Sequence, residues 1–315
     1  MTFHIAYACN NNYVEQTLIS MISLFQNNTN NNIHIYFIED NINDDNQKRI
    51  ISLGEKYGQK IQIESIEHLM GEFYLEGDVY HPRTIYAKLF LDKICQANRI
   101  LYLDSDTVVR GTLEYLWNID MQDSYIAGVK MPYSNKIKKE LQMNQDESYL
   151  CDGVMLFNLE AWRKEKLREK CMNFIRENDS QPYMLSEGTV NYVSEGHIMV
   201  LPPEYNFMSS MILWKADQIK QLYQCDSYYT NDELEGAKKK PIIIHYLNEL
   251  YIRPWYSNSN HPYKKEYIKY RNMAGVKSQM LQGRMEWRTR VLQLLNRYLP
   301  FQVFKTIYWC FARKR

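Results

Sequence analysis

Two spacings of hydrophobic residues alternate along the chain. Short unbroken apolar runs, the mark of buried strands, are separated by stretches where apolar residues recur every three or four positions, the mark of amphipathic helices. Residues 3–9 form the first run. After the polar turn Asn10-Asn11-Asn12, Val14, Leu18, Met21, Ile22 and Phe25 recur at helical spacing to about Asn27. A second strand is expected at 33–38, and Asn43-Asp44-Asp45 makes a capped start for a helix that carries Ile50 and Leu53 and ends near Gly58. A strand at 61–66, a helix at 84–91 and a strand at 99–103 follow. Further on, the pattern predicts a short helix at 113–118, a strand at 125–130, a polar mobile loop at 135–148 and a strand at 153–159. A charged amphipathic helix at 160–177, a short helix from a Ser186 cap to Val193, and strands at 198–201 and 241–246 complete it.

Strands alternating with helices predict an α/β protein with a mostly parallel central sheet and a ligand site at the carboxyl ends of its strands. No G-x-G-x-x-G follows the first strand and no P-loop lysine motif is present, which argues against a dinucleotide or P-loop site. The 315 residues, 45% of them hydrophobic, suffice for one large core. Six scattered cysteines with no C-x-x-C pair fit a reducing compartment rather than a disulfide framework. With no signal peptide and no span of about 20 apolar residues, a cytoplasmic protein is expected.

Charge divides the chain. Residues 263–315 hold 13 Lys or Arg against two acids, and the rest holds 25 against 35, so an acidic body (1–262) carries a basic tail (263–315). In the tail, Leu292, Leu295 and Leu299 share one helical face, and Phe301, Phe304, Tyr308 and Phe311 share another before the closing Arg313-Lys314-Arg315. Aromatics flanked by cations suit an anionic membrane surface, and equally a helix packed on its own domain or on a sister subunit. No nucleic-acid motif is present.

The most informative stretch runs from Arg99 to Val109. An apolar strand ends in Asp104, Ser105 and Asp106, and β-branched residues follow. Two carboxylates one residue apart at a strand end repel each other and are costly to bury. A hard divalent cation such as Mn²⁺ or Mg²⁺ relieves both problems and completes its shell with substrate phosphates. The alternative is a solvated turn.

In sequence order, Ala8-Cys9-Asn10-Asn11-Asn12-Tyr13, Tyr86-Ala87-Lys88-Leu89, residues 101–108, Gly153-Val154-Met155-Leu156-Phe157-Asn158-Leu159, and His245 through Arg253-Pro254-Trp255 together resemble family 8 of the retaining glycosyltransferases. The bacterial galactosyl- and glucosyltransferases of lipopolysaccharide assembly are among the members it looks like. The resemblance covers about residues 1–255 and implies a single GT-A, Rossmann-like domain with a helical basic C-terminal extension. It implies a UDP-hexose donor (glucose or galactose), a saccharide or glycolipid acceptor, and a Mn²⁺ or Mg²⁺ cofactor. Asp104, Asp106 and His245 match the metal ligands. Ala8, Asn10 and Asn12 match the turn that holds the uridine. Arg253 stands where Lys is usual and would contact the diphosphate, and Lys88 stands where some members have Arg. Asp104, Ser105, Asp106, Lys88 and Asn248, the last in place of the usual Gly, belong to the implied nucleotide-sugar set. Some family members attach to membranes through such a tail, which implies a peripheral location on the inner face of the plasma membrane.

Cys151-Asp152-Gly153 stands where Asn-Ala-Gly is frequent, and Ser186-Glu187-Gly188 where Asp-Gln-Asp is frequent. These stretches line the sugar pocket in the family, so Lys88, Asp152 and Glu187 are the candidate catalytic residues. The carboxylates would act as nucleophile or as electrostatic stabiliser. Two other readings stay open: a catalytically weak nucleotide-sugar-binding protein, and a haloacid-dehalogenase-like phosphatase, whose first motif residues 103–108 also fit.

Overall fold

The computed structural model describes residues 1–71, 83–132, 134–179, 182–276 and 278–312. Its centre is a seven-stranded sheet in the order β3-β2-β1-β4-β7-β6-β8. These strands are β1 (Thr2–Asn10), β2 (Asn32–Asp40), β3 (Lys60–Ser65), β4 (Arg99–Leu103), β6 (Ile126–Lys130), β7 (Leu150–Asn158) and β8 (Ile198–Val200). β7 runs antiparallel to both neighbours, and the other pairs are parallel. A smaller three-stranded sheet has the order β5-β10-β9, from Thr107–Val109, Ile243–His245 and Phe207–Met208.

Local chemistry explains the elements that the pattern predicts. β1 and β2 read as near-continuous apolar runs because both faces are covered, as parallel sheets require. The helix α1 (Val14–Asn27) buries Val14, Leu18, Met21, Ile22 and Phe25 against this sheet. Each such side chain contributes about 1.5–3 kcal/mol of burial. In the helix Asp44–Tyr57, Asn43 caps the start by accepting from Asn46 N, and Gly58 ends it in the left-handed conformation.

Four expectations are corrected. Ser186 does not cap the helix Leu185–Val193: Met184 holds the N-cap position, and Ser186 lies inside the helix. Residues 135–148 are not a mobile loop: a helix spans Ser134–Glu140, and Ile137, Leu141 and Met143 are buried. The buried Lys138 ammonium donates to the carbonyls of Gln145 and Glu147, which fixes this polar segment. The helix expected at 160–177 is two, Leu159–Lys164 and Leu167–Glu177, broken where Lys166 takes φ 53°. The β-branched residues after Asp106 form β5, which the sequence pattern had not separated from the strand before it.

The basic tail is helical. Tyr267 and Tyr270 of the helix Lys264–Met273 are buried in the main core, and Asn27 of α1 donates to Tyr270 Oη. The aromatic stripe of the last helix packs on the body. Phe304 is buried and stacks on Trp214, Tyr308 meets Tyr223, and Trp309 Nε1 donates to Leu222 O. The opposite side of the helix Trp287–Tyr298 leaves Trp287, Leu294 and Tyr298 exposed with Arg290 and Arg297. Arg313-Lys314-Arg315 lie outside the described residues. Among the described residues no helix is long and apolar enough to cross a membrane.

Candidate active site

Asp104, Ser105 and Asp106 form the turn by which the chain leaves the large sheet at β4 and enters the small one at β5. Both sheets hold it. Asp104 N donates to Gly153 O of β7 at 2.8 Å, and Tyr246 N, just past β10, donates to Asp106 O at 2.9 Å. The antiparallel register of β5 and β10 sets His245 opposite Thr107. That register delivers the imidazole to the carboxylates: Nε2 lies 3.1 Å from Asp106 Oδ1 and 3.9 Å from Asp104 Oδ2.

The three side chains offer ligand atoms within 4.8 Å of one another. Two carboxylate oxygens and one imidazole nitrogen suit a divalent cation that takes its remaining ligands from phosphate and water. Burial and the charges of Asp106 and Asp152 raise the pKa of Asp104 against the pull of Lys88. Burial would raise Asp106 and lower His245, but each overrides that effect in the other, so the acid is lowered and the imidazole raised. Gly153 is required here, because a Cβ would stand 2.4 Å from His245 Cε1 and 2.6 Å from Asp104 Oδ2. From beneath, α1 braces the turn with hydroxyls. Ser20 Oγ meets Thr107 Oγ1, which donates to Asp104 O, and Thr17 Oγ1 donates to Ser105 Oγ at 2.8 Å.

Next to this turn lies a second charged group. Lys88 is 3% exposed, on a 3-10 helix (Arg83–Phe90). Its ammonium is 2.7 Å from Asp152 Oδ2, 4.0 Å from Asp104 Oδ1 and 4.4 Å from the Tyr102 ring centroid. Burial opposes its charge, but Asp152 and Asp104 win and its pKa is raised. Ser186 Oγ donates to Asp152 Oδ2 at 2.7 Å. Glu187 Oε2 lies 3.4 Å from Asp152 N, at the start of the helix Leu185–Val193. Burial first, and then the charge of Asp152, push Glu187 up to about 8. Met184 and Leu185, with φ of 60° and 53°, turn the chain into this helix. Gly188 makes the turn possible, because a Cβ there would meet Tyr183 O at 1.9 Å.

Of the other expected residues, Arg253 reaches the turn directly. Arg253 Nη2 is 3.4 Å from Asp106 Oδ2, its guanidinium lies over Trp255 at 5.2 Å, and its buried Nε has no hydrogen-bond partner among the described residues. A cation so placed, with a donor unused, suits an anionic ligand. Ala8 and Asn10 end β1 beside β4, and Asn10 Oδ1 accepts from Asn12 N. Asn12 and Asn248 are exposed. Asn206 went unrecognised in the sequence: it is fully buried and its Oδ1 is 3.0 Å from His245 Nδ1. No local pattern marks it, since its role depends on a strand pairing.

The family model for glycosyl transferase family 8 matches residues 4–259. General stress protein A of Bacillus subtilis is 25% identical over 272 residues, which is 85% of this chain and 92% of that protein. Lipopolysaccharide 1,2-glucosyltransferase of Escherichia coli K12 is 24% identical over 269 residues, 84% of this chain and 76% of that one. Among solved structures, the galactosyltransferase LgtC in complex with donor and acceptor sugar analogs superposes with a TM-score of 0.70 at 20% identity, covering 91% of this chain and 99% of that one.

Proposed function

The chain belongs to glycosyl transferase family 8 and has the GT-A fold, and from that premise we propose that it transfers glucose or galactose, with retention, from a UDP-hexose to a saccharide or glycolipid acceptor in bacterial surface polysaccharide synthesis. The observation that carries the proposal is the convergence of Asp104, Asp106 and His245 beside Arg253. A divalent cation at the three ligands, Mn²⁺ in our reading, would neutralise the diphosphate as the sugar's C1–O bond breaks. Arg253 binds the same diphosphate from the opposite side of Asp106, using the Nε that lacks a partner. Lys88 adds positive charge where negative charge develops on the leaving group. Ala8, Asn10, Asn12, Ser105 and Asn248 border the uridine and donor end.

The carboxylates act as partners to the donor sugar rather than as nucleophiles. Asp152 Oδ2 is engaged by both Lys88 and Ser186. Glu187 keeps its proton to about pH 8. Glu187 is therefore not a ready anion at neutral pH and Asp152 is tied to Lys88, which supports attack by the acceptor hydroxyl from the leaving-group side. The phosphatase reading loses its support, because the family match takes in residues 103–108. Purified protein with Mn²⁺ is expected to release UDP from UDP-glucose or UDP-galactose, faster with an acceptor saccharide. Mn²⁺-dependent UDP binding without release from any UDP-hexose would instead support the catalytically weak binding protein.

The tail supports a peripheral location at an anionic membrane. Its inward stripe is taken up by packing, so Trp287, Leu294 and Tyr298 with Arg290 and Arg297 are the surface offered to lipid. Replacing the three apolar residues by Ser should reduce sedimentation with phosphatidylglycerol vesicles and leave UDP affinity unchanged. Equal sedimentation would exclude this surface.

A further inference from the structure

We propose that Asn206 is a positioning residue that decides which ring nitrogen of His245 faces the cation site; the inference rests on the cation-site reading above. Asn206 ends the 3-10 helix Pro203–Asn206 and leads directly into β9. β9 is the parallel neighbour of β10, with Phe207 opposite Ile244 and Met208 opposite His245. The pairing sets Asn206 behind the imidazole, on the side away from the carboxylates. It is 0% exposed, and its Oδ1 lies 3.0 Å from His245 Nδ1.

A carboxamide oxygen accepts hydrogen bonds and cannot donate them. Oδ1 therefore selects the form of His245 with a proton on Nδ1. Loss of the other proton then leaves a lone pair on Nε2, the atom that faces Asp106 Oδ1 at 3.1 Å and Asp104 Oδ2 at 3.9 Å. A metal-binding histidine is commonly held in this way, by a fixed acceptor on its second nitrogen. The other group near Nδ1, Cys151 Sγ at 4.0 Å, is a weak acceptor and does not fix a tautomer.

A second observation points the same way. The Nδ2 of Asn206 is buried with no hydrogen-bond partner among the described residues. A buried donor left unmade is destabilising, and an apolar residue of similar shape would avoid that cost. The amide is thus explained by what its oxygen does for His245.

The test is a calorimetric titration of UDP into the full chain, in Mn²⁺ and in EDTA. Asn206→Leu should bind UDP about 10–100-fold more weakly in Mn²⁺, with its affinity in EDTA unchanged. Asn206→Asp, which keeps an acceptor on Nδ1–H, should stay close to the parent chain. Asn206→Ala, smaller and free of any clash, is read in the same way as the Leu variant. Retention of the full Mn²⁺-dependent gain by the Leu or Ala variant overturns the inference. So does an equal loss in Mn²⁺ and EDTA, or failure of Asp to rescue. Absence of any Mn²⁺ gain in the parent chain would remove the cation site itself, an outcome distinct from a variant that binds normally.

Discussion

The two halves of the site handle charge in opposite ways. On the proposed diphosphate side, Asp104, Asp106 and His245 converge with their ligand atoms facing one another, and Arg253 keeps a donor unpartnered among the described residues. Around Lys88 the charges are already matched. Lys88 sits between Asp152 and Asp104, Ser186 satisfies Asp152, and Glu187 is held neutral by burial and by its acidic neighbour. One half is built to be completed by an ion and a ligand, whereas in the other Lys88, Asp152 and Ser186 already satisfy one another. The difference separates binding from turnover: damage to the first half should be read in affinity, and damage to the second in rate.

The strongest break of this contrast is Asp104→Ala with Asp106→Ala. The pair should lower Mn²⁺-dependent UDP affinity by at least about 100-fold, since two of three protein ligands are lost, where loss of a single outer-shell partner already costs about 10–100-fold. Calorimetry with and without Mn²⁺ checks it, and an unchanged affinity would mean that the two halves are not distinct. Next in size, Lys88→Met should cut turnover by about 10²–10³, the usual cost of one preorganised donor to developing charge, while UDP affinity changes little. A large loss of affinity without loss of turnover would reverse the assignment.

The smallest effect sharpens the comparison through pH. Glu187 in the folded chain holds its proton to about pH 8, whereas the ordinary value is 4.5. Between those values the folded state binds the extra proton, so this residue destabilises the fold increasingly as pH rises from 4.5 to about 8, and no further above that. Glu187→Gln, neutral at every pH, should raise the thermal midpoint by a few degrees more at pH 8 than at pH 5. It should also leave turnover near pH 7 close to the parent, because the parent residue is neutral there. A variant with the same midpoint shift at both pH values, or with abolished turnover, would show that Glu187 works as an anion.

Much of this was legible before folding. The apolar runs marked the strands of the large sheet, and helical spacing marked α1. The Asp104-Ser105-Asp106 turn announced itself as two acids at a strand end. The capping box of Thr230 and Glu233, which starts the helix Asn231–Lys239, is written in the sequence as well. Polar composition misled at residues 135–148, because the bonds that order them run from a buried lysine to backbone carbonyls, and composition does not show that.

What the sequence alone determined was local: which segments are strands or helices, where the carboxylates stand, and how basic and aromatic the tail is. Local periodicity carries that information because each side chain's face follows from its neighbours in the chain. The tertiary structure decided the rest. The register of β5 against β10 brought His245 to Asp106, β9 beside β10 brought Asn206 to His245, and β7 beside β4 brought Gly153 to Asp104. It also turned the tail's inner aromatic stripe onto Trp214 and Tyr223. These pairings join residues far apart in sequence, and they are fixed by packing and hydrogen-bond register, which no short window of residues contains.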